Sequence, residues 1–224
     1  MESLTVDKVA LMNGSIILPD QVVEGQALLV EGTKIAGFVN IGEVPAQFSQ
    51  VDVGGRTISP GLIDIHTHGA LNHIFNEATP QAFTIITAEN ARRGVTSLLA
   101  TTMTAPILEL ARCLDFTHRW MAETHEGAQI LGVHVEGPYF AMEQAGAQDP
   151  ANIRNPDDGT VETLLDHHPA IKIFTFAPEL PGALELTSRL RQMGIVPAAG
   201  HSAAQDTDVL AAIERGLSHI IHIW

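Results

Sequence analysis

The sequence predicts an α/β protein. A small β domain over residues 1–58 precedes about six β/α units of a TIM-type (β/α)8 barrel over residues 59–224. Three observations lead there. After Ser59-Pro60-Gly61, near-continuous apolar strands alternate with amphipathic helices, which is the pattern of parallel strands joined by crossover helices. No G-x-G-x-x-G turn opens any of these helices, which disfavours a doubly wound dinucleotide-binding sheet. The polar residues of the strands gather at their C-terminal ends, where barrels build their sites.

The small domain is read from short β-prone runs at Val6–Met12, Ser15–Leu18, Gln26–Val30, Lys34–Val39 and Gln50–Val53. Asn13-Gly14, Pro19-Asp20, Glu31-Gly32 and Gly54-Gly55 separate them, and Glu31-Gly32 has the chemistry of a hairpin turn. The set suits a sandwich-like sheet that is incomplete without further strands. In the second region Leu62–His66 is the first strand. Thr79 caps a helix with Pro80 at its first position and Gly94 at its end. Val95–Thr101 is a strand, Ala105 to about Thr124 a helix with Ile107, Leu110, Ala111, Leu114 and Met121 on one face, and Ile130–Glu136 the third strand. A helix over Asp158–His168, a strand over Ala170–Ala177, a helix over Pro181–Met193, a strand over Ile195–Ala199, a helix over Asp206–Arg215 and a strand beginning at His219 complete the series.

Bulk properties exclude several classes. A net charge of −14 over 224 residues leaves no basic patch to neutralise phosphates, so no nucleic-acid partner is expected. No apolar run reaches a membrane span, and the first residues carry no basic-then-apolar leader. The single cysteine, Cys113, excludes an intrachain disulfide framework and, sitting among apolar helix positions, reads as core. A cytoplasmic protein is expected.

The unusual count is histidine, 11 in all. His66 and His68, two apart at a strand end, point the same way and can share one ion. Glu136, His201 and His222 also fall at strand ends, giving neutral nitrogens plus one anionic oxygen, a metal-binding donor set. In Val133-His134-Val135-Glu136 the period of two puts His134 and Glu136 on one face, where His134 can orient Glu136 or touch substrate. Glu179 and Ser202 read as structural loop residues, and His219 as a hydrogen-bonded opening of the last strand. His118, His125, His167 and His168 belong to the outer layer.

The motifs together resemble a known family. Ser59-Pro60-Gly61-Leu62-Ile63-Asp64-Ile65-His66-Thr67-His68-Gly69 looks like the entry motif of the amidohydrolase superfamily. Gly132-Val133-His134-Val135-Glu136-Gly137-Pro138-Tyr139, with Thr175–Glu179, Ala199–Ser202 and Ser218–His222, resembles the N-acetylglucosamine-6-phosphate deacetylases. That resemblance implies one or two divalent ions (Zn, Fe, Mn or Co). Glu136, His201 and His222 would hold the main one, and His66 and His68 a second bridged by Glu136. It implies an amino sugar phosphate as small-molecule partner, lying near His134, Gln148 and His219, with Gln148 near the acetyl carbonyl, and a homodimer in the full-length form. The expected reaction is release of acetate from N-acetylglucosamine 6-phosphate. The galacto epimer, another amidohydrolase reaction, or a catalytically inactive truncated remnant are the alternatives.

The departures from the family are as definite. Its chains continue through two more barrel strands, return to the small domain and carry an acid/base aspartate at the eighth strand that has no counterpart here. Ala70-Leu71-Asn72-His73-Ile74 is poorer in glycine than the family's loop, and Ile74 stands where an acidic residue is usual. A six-stranded arc leaves two strand edges open, so an unstable chain, or one dependent on association, is expected.

Overall fold

A computed structural model describes residues 8–223; the expected strand start at Val6, the N-terminal residues and Trp224 lie outside them. The chain divides into two compact units, Met1–Pro60 and Gly61–Trp224.

The first unit is all β. Strands β1 (Lys8–Met12), β4 (Gln26–Glu31), β5 (Lys34–Asn40) and β6 (Ser49–Asp52) form one sheet in the order β5-β4-β1-β6; β2 (Ser15–Ile17), β3 (Val22–Val23) and β7 (Thr57–Ile58) form a second in the order β3-β2-β7. The β4–β5 hairpin forms as expected, but its turn is Gly32-Thr33, one residue later than Glu31-Gly32, with Glu31 paired opposite Lys34 and Gly32 at a positive φ of 57°. Ala10, Ala27, Leu29 and Phe48 make its core. The two-residue strands β3 and β7 are additions to the sequence expectation, because runs this short carry no periodicity.

The second unit is a six-stranded parallel sheet, in the order β15-β14-β13-β12-β11-β8. Its strands are β8 (Leu62–Thr67), β11 (Val95–Thr101), β12 (Gln129–Glu136), β13 (Ile171–Phe176), β14 (Val196–Ala199) and β15 (His219–Ile220); a small hairpin of β9 (Gly69–Ala70) and β10 (His73–Ile74) follows β8. Helices α1 (Pro80–Arg92), α2 (Ile107–Met121), α3 (Val161–Leu165), α4 (Ala183–Gln192) and α5 (Asp206–Glu214) connect successive large strands. Neighbouring strands are sequential neighbours throughout, the connectivity of a barrel wall and not of a doubly wound sheet.

The local signals explain most boundaries. Thr79 Oγ1 accepts from Ala82 N at 3.2 Å and Pro80 occupies the first position of α1. Helix α3 is much shorter than the expected Asp158–His168. Gly159 adopts a positive φ of 85°, Asp158 Oδ1 accepts from Thr160 N, and the chain beyond Asp166 tightens into a separate 3-10 turn over His168–Ala170 that holds Pro169, so only Val161–Leu165 stays α-helical. On the helix side of the sheet, Val133 and Val135 pack with Leu110, Leu114, Leu164, Phe174, Phe176 and Leu190. A second cluster joins Phe75, Phe83, Ile86, Leu98 and Ile130. His134 and Glu136, on the opposite face of β12, are fully buried.

Both sheet edges carry exposed apolar side chains. On β8, Leu62 and Ile63 are each 63% exposed and Ile65 is 42% exposed; at the other edge Ile220 is 47% and Ile223 63% exposed. Edge strands with free backbone groups and apolar side chains are templates for association. The 224-residue chain is therefore expected to run larger than a monomer in size-exclusion chromatography with light scattering; a monodisperse monomer with a sharp cooperative melt would contradict this.

Candidate metal centre

Glu136 ends β12 with no solvent exposure. A carboxylate so placed costs several kcal/mol unless it is paired. Its two oxygens are served separately. Oε1 lies 3.0 Å from His201 Nε2 and 3.1 Å from His222 Nε2; Oε2 lies 2.9 Å from His68 Nε2 and 3.5 Å from His66 Nε2. Each group of three, His66–His68–Glu136 and Glu136–His201–His222, has its ligand atoms within 4.8 Å of one another.

The strands dictate this convergence. His66 and His68 come from the end of β8, Glu136 from β12, His201 from the turn after β14 and His222 from the turn after β15. His201 and His222 take left-handed backbone conformations, with φ of 49° and 52°. For a residue with a Cβ such a conformation costs on the order of 1–3 kcal/mol and tends to cluster at functional sites. Gly200 precedes His201 because there is no room for more: a Cβ there would come within 2.3 Å of Ile221 Cγ1.

The hydrogen bonds decide what the imidazoles present. His201 Nδ1 donates to Gln144 O at 2.9 Å, and His68 Nδ1 to Thr101 O at 3.3 Å. With Nδ1 protonated, a neutral ring offers a lone pair at Nε2, and in both cases Nε2 faces a carboxylate oxygen, itself an acceptor. Lone pair against lone pair is stable only with a cation between them. His66 Nε2, buried, makes no hydrogen bond among the described residues. Protonating the rings instead would crowd like charges, because His66 lies 5.3 Å from His68 and 5.0 Å from His222, centroid to centroid. The donor set fits a divalent ion, and Glu136 is common to both groups of three.

Burial pushes the Glu136 carboxyl up, but His201, then His66 and His68, outweigh it and hold the group well below the usual carboxylate range. The same contact raises His201, against the opposing pull of burial. Burial drives His134 down to about 4, so its ring is neutral.

The other expected residues fall as follows. Gln148, 4% exposed, accepts from Thr104 N at 2.7 Å and donates Nε2 to Glu136 Oε2 at 3.1 Å, so its amide orientation is set by the backbone donor. His134 does not fit the expected substrate contact. Its Nδ1 donates to Ile65 O at 3.0 Å and its Nε2 accepts from Thr175 Oγ1 at 2.7 Å, which leaves neither nitrogen free. His219 stands opposite Ala198 and is half-buried; the hydrogen bond expected of its ring is not found among the described residues. Glu179 holds the turn after His201 by accepting from Ser202 Oγ at 2.7 Å and Ala203 N at 2.6 Å, a structural role as expected. Cys113 is buried and donates to Phe75 O. Sequence reasoning missed Asp64, Thr101, Thr102, Thr104 and Thr175. The run Thr101-Thr102-Met103-Thr104 at a strand's C-terminal end was the one available signal, since hydroxyls there can satisfy buried backbone groups.

The two convergent His/Glu groups could each hold a metal ion at the C-terminal ends of a parallel sheet. Residues 57–223 match the amidohydrolase family, and the chain belongs to it. It is 30% identical over 182 residues to the N-acetylgalactosamine-6-phosphate deacetylase of Escherichia coli O157:H7, covering 80% of this chain and 48% of that protein. It is 32% identical over 169 residues to the N-acetylglucosamine-6-phosphate deacetylase of Bacillus subtilis (strain 168), covering 74% and 43%. Among solved structures, the N-acetylglucosamine-6-phosphate deacetylase of Pasteurella multocida superposes with a TM-score of 0.88 at 28% identity, covering 95% of this chain and 56% of that one. A mutant of the Mycobacterium smegmatis enzyme in complex with N-acetyl-D-glucosamine-6-phosphate gives 0.87 at 28%, covering 97% and 56%. The chain spans about half the length of the relatives it matches.

Two outcomes follow for chelator-stripped protein titrated with Zn2+ in a calorimeter. Glu136→Gln should weaken binding at both positions by more than the roughly 10–100-fold typical of losing a ligand's supporting partner. Metal affinity of the unaltered chain should fall on acidification from above the ordinary imidazole range, because His201 holds its proton more tightly than usual and a protonated ring cannot ligate. Unchanged affinity in either experiment would remove Glu136 or His201 from the centre.

Proposed function

We propose that this chain carries the metal-binding part of an N-acetylglucosamine-6-phosphate deacetylase, hydrolysing the N-acetyl group to give glucosamine 6-phosphate and acetate. The observation that carries the reading is the buried Glu136 carboxylate, each oxygen of which faces a pair of imidazole Nε2 atoms. The relatives' names supply the substrate class.

A divalent ion (Zn, Fe, Mn or Co) at Glu136, His201 and His222, with a second at His66 and His68, would supply Lewis-acid polarisation of the acetyl carbonyl and acidification of water. The chain's own residues do the rest of what is proposed for this half. His201 and His68 are locked by carbonyl acceptors so that Nε2 points inward. Gln148 gives one amide hydrogen to Glu136 and has a second for a carbonyl oxygen that becomes an oxyanion. The proton for the departing amine requires a group that the family resemblance places on a later strand. The full-length protein would act as a homodimer. A reducing, cytoplasmic compartment suits the buried thiol of Cys113, pushed up to about 12 by burial. No helix among the described residues is long and apolar enough to cross a membrane.

The galacto epimer is the second reading, favoured by the similarity to the E. coli O157:H7 enzyme. Acetate release by the metal-loaded full chain from the two epimeric sugar phosphates tests both, with faster turnover of the gluco sugar expected. Faster galacto turnover would reverse the preference. Bound metal without acetate from either would mark a chain that keeps the ligands and lacks the chemistry.

A further inference from the structure

Strand β8 does not run in simple register beside β11. Leu98 faces Asp64 and Ala100 faces Thr67, so two residues, Ile65 and His66, oppose Leu99 alone. This is a β-bulge placed at the first histidine of the His66-x-His68 pair. A bulge disrupts the ladder locally, and here side chains answer the backbone groups. His66 N donates to Asp64 Oδ1 at 3.0 Å, and Thr67 N donates to Thr101 Oγ1 at 3.0 Å. The Ile65 carbonyl accepts from His134 Nδ1 at 3.0 Å.

That last bond is the unusual one. His134 lies on β12, and β11 stands between β12 and β8. The imidazole therefore reaches past a strand, across the inner face of the sheet, to hold the bulge. It is well specified for this. A carbonyl can only accept, so Nδ1 carries the proton; Thr175 Oγ1 donates to Nε2, which fixes the same tautomer from the other side. The ring is fully buried and meets the His66 ring edge-on at 4.7 Å. Thr175 is fully buried too.

We propose that His134 is a positioning residue that acts on the His66–His68 half of the centre alone, by fastening the β8 bulge through Ile65 with a tautomer set by Thr175. His201 and His222, on the far strands, do not depend on it. The inference rests on the two-ion reading above.

Metal counting on the chelator-stripped full chain titrated with Zn2+ tests it. Two equivalents are expected for the unaltered chain. His134→Leu should keep one equivalent near its original affinity and bind the other at least about tenfold more weakly. His134→Asn, whose amide hydrogen can take the place of Nδ1–H, should restore the second. Amide hydrogen exchange at His66 and Thr67 without metal should accelerate in His134→Leu and not in His134→Asn. Should His134→Leu fail to fold, Thr175→Val against Thr175→Ser asks the same question, with the valine weakening the second equivalent and the serine preserving it. Both equivalents unchanged in His134→Leu, or equal loss at both positions, would overturn the inference. An unaltered chain that takes up no Zn2+ would instead overturn the metal reading, and unchanged exchange at His66 and Thr67 would then overturn this one on its own.

Discussion

One buried carboxylate governs the second unit. Glu136 sits at the end of the central part of the sheet with no access to water, and four imidazole Nε2 atoms crowd its two oxygens. In a low-dielectric interior an anion so placed is tolerable only with positive charge beside it. Protons on the rings can provide that charge, at the expense of packing like charges about 5 Å apart. A divalent ion would provide it without that repulsion, and the hydrogen bonds that hold Nδ1 of His201 and His68 outward suit one. The strained backbone at His201 and His222 has the same explanation: the turns are bent to bring lone pairs onto one carboxylate.

The supporting contacts divide along the carboxylate's two oxygens. On the Oε2 side, a bulged strand, two threonines, an aspartate and His134 hold His66 and His68. On the Oε1 side, the loop carbonyl of Gln144 and the Glu179–Ser202–Ala203 contacts hold the turn that carries His201. Gln148 links the carboxylate itself to the backbone of Thr104. The two half-sites share Glu136 but are built from different strands, so they can be perturbed separately.

Much of this was legible in the sequence, for identifiable reasons. The alternation of Val133 and Val135 with His134 and Glu136 assigned faces correctly because strand periodicity is strict. Thr79-Pro80 announced α1 through local capping chemistry. Strand ends predicted that His66, His68, Glu136, His201 and His222 converge, because a parallel barrel wall places its C-terminal ends together. The bulge was not legible: register belongs to a pair of strands, and nothing in Ile63-Asp64-Ile65-His66 announces it. His134 was therefore read as orienting Glu136 or touching substrate, when its partners are a carbonyl 69 positions away and a threonine 41 positions away. The shortened α3 shows the opposite failure, where a plausible helical span broke into a 3-10 turn before Gly159, a short α-helix and a second 3-10 turn at His168–Ala170.

Anomalous diffraction at the zinc edge from crystals of the chain grown with Zn2+ is the most direct test of the central claim. The account predicts two peaks on opposite sides of the Glu136 carboxylate, one against Oε1 with His201 and His222, the other against Oε2 with His66 and His68. Density at neither position, or Zn2+ bound only by residues away from Glu136, would contradict it.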